Sequence, residues 1–134
     1  MQQRKQSNYT DYNASNGVND NFGTIYAGMC KSDAFKNLNI SLRYFYVICR
    51  VQAQSKEGRQ CLYRHGEEYG IKYDHHTHFV FPASHIEKYG YDRRNAFKYL
   101  NELVSAGFIA RVESNDHIKK VNVYKFVSKW KDDT

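Results

Sequence analysis

The residues best suited to chemistry lie together in GYDRRNAFKYL, positions 90–100. Asp92 is a good helix N-cap, and Arg93, Arg94 and Asn95 follow it at once. Cations at a helix N-terminus oppose the helix dipole, so two adjacent arginines there call for a reason other than helix stability. Arginine can give guanine O6 and N7 two parallel hydrogen bonds, and asparagine can pair with adenine N6 and N7. Arg93, Arg94 and Asn95 are therefore the expected base-reading residues. Lys98 and Tyr99, one turn further on, are placed to meet phosphates, as are Ser84 and His85 near the start of PASHIEKYG. A third set, Asn115, His117, Lys119 and Lys120 in SNDHIKK, sits where a hairpin tip would touch the backbone or the minor groove.

A second concentration of reactive types is Cys61, His65, His75, His76 and His78, within 18 positions. Thiolate and imidazole are the preferred zinc ligands, and His76 and His78 would share one face of a strand. Their spacing fits no zinc template, so the expectation is a metal-free, histidine-rich surface segment and no cofactor. A Cys61–His65 nucleophile–base pair would need a pocket that the sequence does not reveal. There are no paired carboxylates, nucleophile elbow, glycine-rich phosphate cradle or H-E-x-x-H. No catalytic residues are expected, and the chain reads as a binding protein rather than an enzyme.

The elements that must carry these residues follow from periodicity. SLRYFYVICRVQAQ, residues 41–54, places Leu42, Phe45, Tyr46, Cys49 and Ala53 on one helical stripe, with Arg43, Arg50 and Gln54 off it. This predicts a core helix that Gly58 stops. Before it, Ile25, Met29, Ala34, Phe35 and Leu38 suit one or two short helical turns. Residues 59–81 read as a loop or hairpin leading into a strand, with Gly66 and Gly70 as turn signals. In PASHIEKYG, Pro82 fits a first helical turn and Ser84 and Glu87 have capping-box spacing. RRNAFKYLNELVSA then predicts a helix burying Ala96, Phe97, Leu100, Leu103 and Val104, ended by Gly107. Its opposite side would carry Asn95, Lys98, Tyr99 and Glu102. FIARVES and VNVYKFVSKW predict two strands around SNDHIKK, with Tyr124, Phe126 and Trp130 closing the core.

The chain has 134 residues, 41% hydrophobic and 16% aromatic, enough for one compact core and too few for two ordinary domains. Residues 1–21 are rich in Asn, Gln, Ser and Asp and read as a flexible polar arm, with Arg4 and Lys5 as its cations. A formal charge of +6 favours an acidic partner. No stretch approaches a membrane span and the start lacks the apolar region of a secretory signal, so no membrane partner and a cytoplasmic location are expected. Three cysteines without a C-x-x-C pair suit reduced thiols.

The order of elements, two short helices and then a hairpin, predicts an α+β winged helix-turn-helix: a three-helix core with a C-terminal β-hairpin wing. FPASHIEKYGYDRRNAFKYLNELVSAGFIARV resembles the helix-turn-helix of bacterial winged-helix DNA-binding proteins, in which a glycine in the turn and a terminal Gly-Phe-Ile recur. The upstream FGTIYAGMCKSDAFKNLNISLRYFYVICRV is similar to the lead-in and first helix of winged-helix proteins from plasmids, phages and conjugative elements, including replication-initiator domains and relaxosome accessory factors. The similarity covers residues 22–127 and implies one winged-helix domain over 22–131 with an insertion at 59–81. It implies sequence-specific binding of double-stranded DNA, in transcription regulation or as a replication-origin or transfer-origin accessory factor, alongside other mobile-element proteins. Relatives of this kind often bind as dimers on DNA, though no heptad seam is present. The alternative is a winged-helix module that docks another protein through its 12 tyrosines, among them Tyr63, Tyr69 and Tyr73.

Overall fold

A computed structural model describes residues 22–113 and 122–133. The expected arm at 1–21 and the wing-tip residues Asn115, His117, Lys119 and Lys120 lie outside the described residues. In chain order the elements are α1 (Ala27–Lys31), α2 (Asp33–Lys36), α3 (Ile40–Gln54), α4 (Lys56–Tyr69), β1 (His78–Val80), α5 (Ala83–Lys88), α6 (Arg93–Ala106), β2 (Ile109–Glu113) and β3 (Val123–Phe126). A 3₁₀ turn at Lys129–Asp133 follows. The fold is α+β: six helices against a three-stranded antiparallel sheet of order β1-β3-β2. That layout is compatible with the expected winged helix, and no helix among the described residues is long and apolar enough to cross a membrane.

Helix α3 organises the interior. Its stripe of Leu42, Phe45, Tyr46, Cys49 and Ala53 is buried as the periodicity predicts, and Phe45 and Cys49 are completely enclosed. Asn39 starts the helix by accepting a hydrogen bond from the Leu42 N–H at 2.8 Å. Phe45 lies against Phe81, Tyr91 and Tyr99, while Tyr46 meets Phe35, Phe108 and Phe126. One central helix thus binds the N-terminal turns, the sheet and the α5–α6 pair into a single apolar cluster. Tyr124 is buried and Trp130 stacks on Phe108 at 5.8 Å, so these aromatics close the core as expected. The guanidinium of Arg50 adds a cation–π contact 3.8 Å over the Phe126 ring and donates through Nε to the Tyr46 hydroxyl.

About half of the segment expected as a loop or hairpin, residues 59–69, is helix. Helix α3 ends at Gln54, and Ser55 both terminates it and caps α4 by accepting from the Gly58 N–H at 3.0 Å. Gly58 is therefore not the stop but a buried residue in the first turn of α4. A Cβ there would stand 1.9 Å from the carbonyl oxygen of Gln52, so the glycine is required by the close approach of one helix to the end of the other. Leu62 of α4 joins Val80 and Val123 in a second small apolar cluster, which seats α4 on the sheet. Residues 70–77 are the part that does form a loop, and it leads into β1 as the strand expected there.

The end of α6 follows its signal. Gly107 adopts φ 87°, and a Cβ on it would lie 2.9 Å from the Trp130 nitrogen, so both the left-handed turn and the returning C-terminal segment demand glycine. Helix α5 departs from expectation at its start. Pro82 is the N-cap, with its carbonyl accepting from the His85 and Ile86 N–H groups, and no side chain caps the helix. The Ser84–Glu87 capping box is not formed.

Candidate functional site

Helix α6 begins at Asp92, whose Oδ1 accepts from the Asn95 N–H at 2.8 Å. The other carboxylate oxygen accepts from the Asn95 side-chain amide at 3.1 Å. Asn95 therefore already donates its amide to the cap, and a bidentate pair with adenine would require it to leave Asp92. Arg93, Arg94 and Lys98 are exposed, and their side chains form no ion pair or hydrogen bond with another described residue. They are cations with unspent donors on a helix fixed from behind.

The inner face of α6 is narrower than predicted and rotated. Ala96, Leu100 and Leu103 are buried, and Tyr99 flanks them half-buried, 5.3 Å from Phe45 and 6.0 Å from Tyr91. Phe97, expected in the core, is 40% exposed. The physical reason is the small Ala96, which has no accessible surface left and marks the line of closest approach. Residues 96, 99, 100 and 103 then form the inward stripe, and position 97, about 100° around the helix from 96, falls outside it. Tyr99 is accordingly a core-flanking residue rather than part of the outer face.

The outer face holds an open trough of ≈ 710 Å³ lined by Arg94, Phe97, Lys98, Asn101, Glu102 and Ser105. Residues 94, 97, 98, 101 and 105 share one helical face. From β2, Arg111 reaches over this face: its guanidinium donates to Asn101 Oδ1 and lies 5.6 Å from the Phe97 ring centroid. The Nε of Arg111 is buried and has no hydrogen-bond partner among the described residues. Phe97, Asn101 and Arg111 were missed in the sequence. Asn101 could have been found seven residues after Arg94 on the same face, whereas Arg111 joins only through the pairing of β2 beside α6.

Ser84 and His85 differ from each other. Ser84 is exposed on α5, but His85 is partly buried, and its Nδ1 lies 2.8 Å from the Nε2 of Gln52. A glutamine Nε2 only donates, so Nδ1 accepts and the proton of the neutral ring is on Nε2. The same Gln52 nitrogen donates to the Val80 carbonyl at 3.0 Å, linking α3 to the strand and to α5. Partial burial holds His85 below its ordinary pKa, with Glu57 opposing and Lys88 assisting that shift. Lys88 and Glu57 form an exposed ion pair at 2.9 Å between α5 and α4, and the Lys88 hydrogen bond lowers the Glu57 carboxyl.

The histidine-rich segment forms a corner of contacts among its own members. His65 is buried on α4 beside Tyr69 and Tyr73, Tyr73 meets His78, and the Tyr63 hydroxyl bonds to His75 Nδ1. Burial depresses His75, with His76 and Arg59 adding to the effect. It likewise depresses His78, with Lys125 adding. Of the described residues, Asp74, His75 and His76 could hold a metal ion, their donor atoms lying within 4.8 Å of one another. Cys61, His65 and His78 are not in that group. Cys61 is half-buried, and burial pushes its thiol up, away from the thiolate that nucleophilic chemistry needs.

Comparison with family models, with curated proteins and with solved structures found no match.

Proposed function

We propose that this chain is a winged-helix protein that binds double-stranded DNA with α6 in the major groove. In this reading it serves a bacterial mobile element as a transcription regulator or as an accessory factor at a replication or transfer origin. The observation that supports it best is the exposure of Arg93, Arg94 and Lys98, without ion-pair partners among the described residues, on a helix whose inner face is fixed in the core. Residues near the N-terminus of such a helix meet base edges, and the later cations meet phosphates. Arg93 and Arg94 are assigned base reading, with Asn95 able to join after releasing Asp92. Lys98 and Ser84 are assigned the backbone, together with Asn115, His117, Lys119 and Lys120 of the wing.

The test separates base reading from simple charge. After selection of a preferred duplex from a random pool, Arg94→Ala is expected to weaken binding to it by about 1–3 kcal/mol while leaving random duplex nearly unchanged. Arg93→Ala belongs in the same experiment. Lys120→Ala should weaken both duplexes alike and flatten the salt dependence by about one unit of slope. The exposed Tyr63, Tyr69 and Ile71 around the end of α4 favour a second reading, a protein-docking module. If neither arginine substitution alters discrimination, that second reading is the better account.

A further inference from the structure

On the DNA-binding reading above, we infer that Phe97 recognises the 5-methyl group of a thymine close to the base contacted by Arg94. Phe97 is a large ring that stays 40% exposed on the outer face of α6. It is five positions into the helix, within the part that reaches base edges when a helix enters the major groove. Its position is supported: Ala96 and Leu100 are locked in the core on the adjoining side of the helix, and Arg111, tied to Asn101, lies over the ring.

Charge selects the occupant. Arg94 and Lys98 line the same trough, Arg111 flanks it, and its acid, Glu102, is half-buried. An apolar protein surface covering Phe97 would also cover these cations and leave them without counter-charges. Phosphates beside the major groove supply that charge, and thymine supplies an apolar group on a base edge. Spacing agrees as well. Arg94 and Phe97 are three residues apart, about 4.5 Å along the helix axis. That is close to the base-pair step of about 3.4 Å, so the two side chains meet neighbouring or next-neighbouring pairs. The preferred site should therefore hold a guanine within two base pairs of the recognised thymine.

The test removes only the methyl group. The preferred duplex, selected with the full chain, is remade with each thymine replaced singly by uracil, and affinities are read by fluorescence anisotropy. One replacement near the Arg94-dependent guanine is expected to weaken wild-type binding about fourfold, the equivalent of about 0.8 kcal/mol for one buried methyl group. Phe97→Ala should bind the thymine and uracil duplexes equally, and Phe97→Leu should keep part of the difference. Wild-type binding that is unchanged in every uracil duplex overturns the inference and leaves DNA binding standing. So does a Phe97→Ala variant that keeps the methyl sensitivity. Absence of binding to any duplex overturns the function itself. Where Phe97→Ala unfolds, Phe97→Leu carries the attribution, and the uracil series on the wild-type chain can still overturn the inference.

Discussion

The outer face of α6 and the corner formed by α4 with residues 71–78 both gather side chains able to hold a ligand, but they dispose of them in opposite ways. In the corner, His65, Tyr69, Tyr73, His75, His78 and Tyr63 meet one another, and Asp74 Oδ1 accepts from the His76 N–H. On α6, Arg93, Arg94 and Lys98 have no described partner, while the opposite side of the same helix is fully committed to the core. A high density of ligating residue types is therefore a weaker sign of a site than a few groups with donors left over. The corner uses its chemistry to hold α4 against the sheet. The helix leaves its own unspent among the described residues, as the proposed DNA contact requires.

The sharpest way to break this contrast is to attack the committed side of α6. Leu100→Ala is expected to lose about 2–5 kcal/mol in denaturant unfolding, because Leu100 is buried and the surrounding helices cannot collapse fully into its space. A near-neutral result would mean that the buried face has been misassigned and that the outer face must turn with it. At the junction of α3 and α4, Gly58→Ala is expected to lose about 1–3 kcal/mol, since its new methyl group must displace the Gln52 carbonyl. Stability unchanged by this substitution would show that α3 and α4 do not approach each other so closely.

Acid should produce a smaller effect, and its sign is fixed by the histidines. His75, His78 and His85 are all depressed in the folded chain, chiefly by partial burial. Above the ordinary histidine value of about 6.5 both states are neutral at these sites and stability is constant. As pH falls through that value toward the folded-state values, the unfolded chain takes up protons first and stability declines. The Tm should thus be lower at about pH 5.5 than at about pH 7.5, and His85→Gln should reduce the difference. An identical pH response in the variant would remove His85 and its Gln52 contact from the explanation.

Phe97→Ala, on the open face, should change unfolding stability by no more than about 0.5 kcal/mol, in contrast to Leu100→Ala one turn away. Smallest of all is the effect expected of chelation. A strong chelator should leave the Tm unchanged, because the rings of His65, His75 and His78 each lie against a tyrosine. A large fall in Tm would make Asp74, His75 and His76 a structural metal site.

Features decided within one turn of chain were legible from sequence. Asp92 caps α6, Gly107 ends it, and Leu42, Phe45, Tyr46, Cys49 and Ala53 line α3 as their spacing requires. Features decided across the fold were not. Gly58 looked like a helix stop because its actual role, clearance for the Gln52 carbonyl, depends on how two helices meet at Ser55. Phe97 and Tyr99 both fit a helical stripe beside Leu100, and only the docking of Ala96 decides between them. His85 was read as an outward phosphate contact, yet its Nδ1 is occupied by Gln52, 33 residues earlier. In the outer face, Arg94 and Lys98 were visible in sequence, but Arg111 and its bond to Asn101 depend on strand pairing.

In the proposed function α6 meets DNA while the histidine–tyrosine corner does not. Amide nitrogen–proton NMR spectra of the chain, recorded while its preferred duplex is titrated in, test this most directly. Shifts are predicted to concentrate at residues 92–105 and at 84–85 and 111, with residues 61–76 nearly unmoved. Shifts concentrated at 61–76, or spectra that do not change at all, would contradict the account.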